Sequence, residues 1–63
     1  MEKWKFLLNK KVKVIFEDGI NHFSKKEGIV IEFTQTHVIL KTASSTEAIN
    51  LSKILRIEEL QDG

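Results

Sequence analysis

Residues 28–40 read GIVIEFTQTHVIL, two apolar runs in strand alternation that close on a polar pair. Ile29, Ile31 and Phe33 share one parity and Val30, Glu32 and Thr34 the other, while Val38 and Leu40 resume an apolar parity after Gln35 and Thr36. The pattern predicts strands over 28–34 and 37–42 joined at Gln35 and Thr36. One face of this hairpin must be buried, and the reading takes Ile31 out of water together with Val12, Leu40 and Ile54. A lone hairpin is marginal in water, so its apolar face needs the strands that 12–16, 48–51 and 54–57 can supply.

The N-terminal stretch is ambiguous in period. Trp4, Leu7 and Leu8 are spaced i, i+3, i+4 as on an amphipathic helix, yet Trp4, Phe6 and Leu8 also alternate with Lys3 and Lys5. The helix is preferred, with Asn9 as a left-handed cap, Lys10 and Lys11 complementing the dipole, and Trp4 as a lid on the core. Val12, Val14 and Phe16 mark the first strand, and Glu17, Asp18 and Gly19 supply turn chemistry after it. Residues 20–27 read either as a polar loop with a mobile middle or as a continuation of the hairpin that bends before Gly28. Gly28 itself signals a bend or bulge that lets one strand serve two sides of a small barrel. Ala43 to Thr46 form a polar loop, Ser52 and Lys53 a tight turn, and 54–60 the last strand. The expectation is one mainly β domain over 1–63: a helical segment at 1–10, a strongly bent five-stranded antiparallel barrel over 11–60, and a frayed tail at 61–63.

Composition narrows what such a domain does. A chain of 63 residues buries a thin core, and with no cysteine it has neither disulfides nor thiolate ligands to reinforce it, which leaves oligomerisation. The formal charge of +1 is too small to draw the whole chain to nucleic acid or to an anionic membrane. Its distribution is uneven: Lys3, Lys5, Lys10, Lys11 and Lys13 crowd the start, and Glu58, Glu59 and Asp62 the end. The plain meaning of such blocks is a solvated surface. No apolar run reaches the length of a spanning helix and the start lacks a secretory pattern, so a soluble, cytoplasmic protein is expected.

Catalytic patterns are missing. His22 and His37 have no metal-ligand spacing, and Glu17 with Asp18, like Glu58 with Glu59, are adjacent in strands and point to opposite faces. No serine lies in a nucleophile elbow and no glycine-rich phosphate loop exists, so neither enzyme activity, metal nor cofactor is expected.

The segments VKVIFEDG, GIVIEFTQTHVILK and INLSKILRI together resemble the Sm-like family, and from Gly28 onward the Hfq-type branch. The resemblance spans residues 6–58. It implies an N-terminal helix on a bent five-stranded Sm-like/SH3-like barrel, and a ring, hexamer or heptamer, in which strand 48–51 of one copy pairs with 55–57 of the next. It also implies single-stranded RNA bound by two loops, Thr34 to His37 and Asn50 to Lys53. Gln35, Thr36, His37, Ser52 and Lys53 would face the RNA strand and Lys10 and Lys11 would hold phosphates. This chain departs from that pattern at Thr36, where the branch places a stacking aromatic, and at Asn50, Leu51 and Ser52, where it carries a tyrosine, lysine and histidine signature. The longer 19–28 span is similar instead to the SH3-like C-terminal domain of ribosome-maturation factors. That favours an alternative: a non-enzymatic module that docks on a protein or ribonucleoprotein. Duplex DNA binding is a third option, and the near-neutral charge argues against it.

Overall fold

The computed structural model describes residues 2–60. A 3-10 helix over Glu2–Leu7 leads into β1 (Lys11–Glu17), β2 (Phe23–Phe33), β3 (His37–Lys41) and β4 (Thr46–Asn50); a second 3-10 helix, Leu51–Lys53, joins β4 to β5 (Ile54–Glu59). All five strands lie antiparallel in one sheet, in the order β4-β3-β2-β1-β5. Among the described residues no helix is long and apolar enough to cross a membrane.

The sheet is not closed, because β4 and β5 are its two edges and do not pair with each other. It is nevertheless strongly curled. Five strands laid flat span about 19 Å. The turn between β4 and β5 is only three residues long, and even fully stretched such a link reaches about 14 Å. The bend is concentrated in β2, whose first half, from Phe23 to Ile29, pairs with β1 and whose second half, from Ile29 to Phe33, pairs with β3. Gly28 sits at that handover and is buried, with an added Cβ falling 2.6 Å from the Lys41 carbonyl oxygen. The curl also brings Lys26 Nζ of β2 to 4.0 Å from Glu47 Oε2 of β4, although β3 lies between these strands in the sheet.

The concave face holds Val12, Val14, Val30, Val38, Leu40 and Ile49, with Leu7 over it and Trp4, Phe16, Phe33, Ile54 and Ile57 packed around it. Trp4 is thus the lid that its position in the apolar pattern predicts.

Three expectations need correction, and one open choice is decided. The N-terminal element is a 3-10 helix rather than a full helical segment over 1–10. With three residues per turn, Trp4 and Leu7 stack on the core side while Leu8, one residue further, turns out to 41% exposure. Ile31 is 44% exposed rather than buried. The ladder runs Val30 to Leu40 and then Glu32 to Ile39, so Ile31 is the extra residue of a β-bulge. That one-residue insertion puts Val30 and Phe33, three apart, on the same inner face. Of the two readings of residues 20–27 the structure takes the second: β2 begins at Phe23, so the hairpin continues. Finally, the expected closed barrel is an open sheet. The tail at 61–63 lies outside the described residues.

The turn between β1 and β2 follows the sequence signals. Gly19 has φ of 113° and Asn21 of 56°, and Asp18 N donates to His22 O at 2.8 Å. Asn9 has φ of 68°, the left-handed cap that its place after the helix predicts, and its N–H donates to Val30 O at 2.7 Å. Asn9→Ala is expected to cost about 1 kcal/mol, because a Cβ without a compensating amide is strained there, whereas Asn9→Gly stays near wild type. Thermal denaturation of the two variants checks the difference.

Candidate functional site

At one end of the β3-β4 hairpin two polar turns face each other. The first is stapled by Thr34, whose Oγ1 accepts from Thr36 N at 3.2 Å and from His37 N at 2.9 Å, while Thr34 N donates to His37 O at 2.9 Å. Threonine does this because its hydroxyl can serve the backbone of a turn two and three residues on. Gln35 is left exposed at the corner, with its side-chain amide unbonded among the described residues. Thr36 Oγ1 lies 2.7 Å from His37 Nδ1, which ties the imidazole, itself half-buried, to the turn.

The second turn is ordered by Asn50, whose Oδ1 accepts from Ser52 N at 2.9 Å and from Ser52 Oγ at 2.7 Å. This arrangement caps the short Leu51–Lys53 helix. Leu51 N then donates to Thr36 O at 2.8 Å, and His37 and Asn50 are register partners across β3 and β4. The two turns are thereby joined around a cleft of about 540 Å³ lined by Gln35, Thr36, Asn50, Leu51 and Ser52.

Of the residues expected to meet RNA, the fold brings Gln35, Thr36 and Ser52 to this cleft and sets His37 beside it. Lys53, on the same turn as Ser52, lines an adjoining cleft of about 370 Å³ that Asn50 also borders. Lys10 and Lys11 lie elsewhere. Lys11 is level with Ile29 and Lys41 in the ladder, whereas the cleft is level with His37, about 13 Å further along β3. Lys10 Nζ is 3.9 Å from Glu59 Oε2 and Lys13 is flanked in the ladder by Glu27 and Glu58, so the basic start of the chain is interleaved with carboxylates. Phe6 is 67% exposed there. A different pair of cations, Lys11 and Lys41, borders a third cleft around Ile29.

No family model, curated protein or solved structure matches the chain. What the site can do chemically rests on its own geometry. It offers amide and hydroxyl groups held by turns and an apolar wall from Leu51, with no aromatic ring among the residues that line it, while the adjoining cleft brings Phe16, Lys26 and Lys53 beside Glu17, Asp18 and Glu47.

Asn50 and Leu51 line the cleft as well; the resemblance placed them in its second loop but did not count them among the residues that face the RNA. Both stand where the Hfq-type signature is broken, so they read as losses. A signal for Asn50 was present in the Asn-x-Ser spacing, which favours a side-chain-stapled turn. Leu51 had none, because its role depends on the long-range bond to Thr36.

Proposed function

We propose that this chain is a cytoplasmic, Sm-like RNA-binding protein that acts as a ring-shaped oligomer, a hexamer or heptamer, and holds single-stranded RNA at the cleft between the two turns. The observation that carries this reading is the Leu51 N to Thr36 O bond, which joins two turns distant in sequence into one polar cleft with unengaged amide groups at its rim. Unpaired bases are recognised by such groups along their edges. Lys53, on the same turn as Ser52, supplies a cation for phosphate.

The ring has separate support. β4 and β5 are unpaired edges, and such edges invite pairing with a further strand. β4 pairs with β3 without a bulge, and β5 carries its bulge at Leu55 against β1. Closure through neighbouring copies would bury both edges and add the stability that a 63-residue chain lacks.

Fluorescence anisotropy with short RNA strands at about 50 mM and about 200 mM salt tests the binding. Binding should be clear at the lower salt, fall about tenfold or more in the Gln35→Ala, Ser52→Ala double variant, and lose about one unit of salt slope in Lys53→Ala. No binding at low salt would remove the reading. Light scattering should return six or seven copies, and a monomer would remove the ring.

A second reading has its own observation. Phe23 at 57%, Leu55 at 56% and Ile29 at 45% exposure are large apolar side chains in water, as on a surface that docks a protein. Recovery of one protein partner after nuclease treatment, with no RNA binding by the pure chain, would favour it.

A further inference from the structure

We infer that the free edge of β4 and the cleft beside it take a short extended peptide that carries basic side chains, as an added strand of the sheet. The inference goes beyond the RNA reading and does not depend on it.

The backbone of β4 faces two ways in alternation, and two bonds fix which residue faces which way. Thr42 N donates to Ser45 O at 2.8 Å at one end of the β3-β4 ladder, and Leu51 N donates to Thr36 O at 2.8 Å at the other. Between these ends the unbroken register makes Glu47 and Ile49 the residues that bond to β3. Thr46 and Ala48 therefore turn both N–H and C=O away from β3, and Asn50 its N–H. No strand lies on that side. All three residues are exposed, with short uncharged side chains and neither a proline, a lysine nor a bulge to guard the edge. Such an edge is an open template for one more strand.

The cleft of about 370 Å³ lies along this edge. Ala48 and Asn50 line it together with Glu17 and Asp18 at the end of the β1-β2 hairpin, and Phe16 and Ile49, which pack in the core cluster, give it an apolar part. Among its charges, Lys26 and Glu47 answer each other at 4.0 Å. Glu17 and Asp18 form no ion pair among the described residues, and Asp18 Oδ2 accepts only from Ser24 Oγ at 3.0 Å. Against these two carboxylates stands Lys53 alone, so the cleft favours a partner that brings positive charge.

An added strand has a period of two. Residues bonded to Thr46, Ala48 and Asn50 carry their side chains on the outer face, and the residues between them carry theirs into the cleft. The recognised segment is thus about five residues long, with basic and apolar side chains at alternate positions. Ring closure would place a neighbouring copy on the same edge, so peptide and ring exclude each other.

The test uses the full chain and the anisotropy of a labelled, end-blocked heptapeptide, Thr-Lys-Thr-Val-Thr-Lys-Thr. Methylating the backbone nitrogens of the two inner threonines, which face β4, should weaken binding at least about tenfold, whereas methylating those of the lysines, which face away, should leave it within about threefold. Replacing the lysines of the peptide by glutamate should also weaken it about tenfold. Ala48→Pro deletes only an outward donor, so the variant should fold and yet bind at least about tenfold more weakly. If it melts early, the methylated peptides make the same comparison on the unaltered chain. Glu17→Gln with Asp18→Asn should lose more affinity than Glu27→Gln, an exposed carboxylate outside this cleft. Where light scattering finds a ring, saturating peptide should release monomers. Equal binding of the two methylated peptides, equal binding of the glutamate peptide, a ring that stays intact with peptide bound, or no binding at all overturns the inference. None of these outcomes touches the RNA reading, which the oligonucleotides test separately.

Discussion

Leu40→Ala is expected to remove most of the folding stability of this protein. Leu40 is fully buried on the concave face, opposite Val30 on β2 and Glu47 on β4, and with Leu7 and Ile49 it is among the largest side chains in a core whose other members are four valines. Truncating a buried leucine costs about 2–5 kcal/mol in lost transfer energy and residual cavity. A chain of this length has about 3–9 kcal/mol in total. Urea denaturation followed by the fluorescence of Trp4, the single tryptophan, reads the loss directly, because Trp4 packs on the same core. Ile31→Ala is the matched control. It deletes a comparable side chain from the neighbouring strand, but from the outer surface of the bulge, and should cost under about 1 kcal/mol. Equal losses in the two variants would mean that Ile31 faces the core and that the β2-β3 register is wrong.

That contrast also marks where the chain was legible and where it was not. The β2-β3 hairpin, its turn at Gln35 and Thr36, the bend at Gly28 and the left-handed Asn9 follow from local signals: alternation, turn chemistry and the tolerance of asparagine for positive φ. Ile31 went astray because strict alternation carries no mark of an inserted residue. Ile29, Ile31 and Phe33 look like one face until the bulge shifts Phe33 onto the other. The N-terminal segment was open to two periods, and the choice of a third, the 3-10 repeat, comes from Leu7 docking on the sheet rather than from propensity. Phe23 fell in a span dense with polar residues, and its strand conformation comes from pairing with Glu17 across the hairpin. At the site the two turns were visible as polar breaks. Their union depends on the Leu51 to Thr36 bond, a contact between residues fifteen apart that no local pattern encodes.

Gly28→Ala should lower stability by about 2–3 kcal/mol and the melting temperature by about 10–20 °C. The reason is a single atom. A Cβ at Gly28 would lie 2.6 Å from the Lys41 carbonyl oxygen and 3.0 Å from its carbon, and both are backbone, so no rotamer change relieves the clash. To admit the methyl group β2 must move away from the end of β3, where Ile29 and Lys41 pair and where the strand passes from one partner to the other. Circular dichroism melts would show the shift, and an unchanged melt would mean that β2 and β3 are further apart at this point than the structure has them. Binding should respond differently. The proposed cleft is built by the β3-β4 hairpin and the turn after it, through the His37 and Asn50 pair and the Leu51 to Thr36 bond, none of which involves Gly28. At a temperature where Gly28→Ala remains folded, its affinity for single-stranded RNA should therefore stay within about twofold of wild type, since mutations without shared partners act independently. A large loss of affinity in a folded variant would show that the curl of the sheet, and not only the hairpin, shapes the cleft.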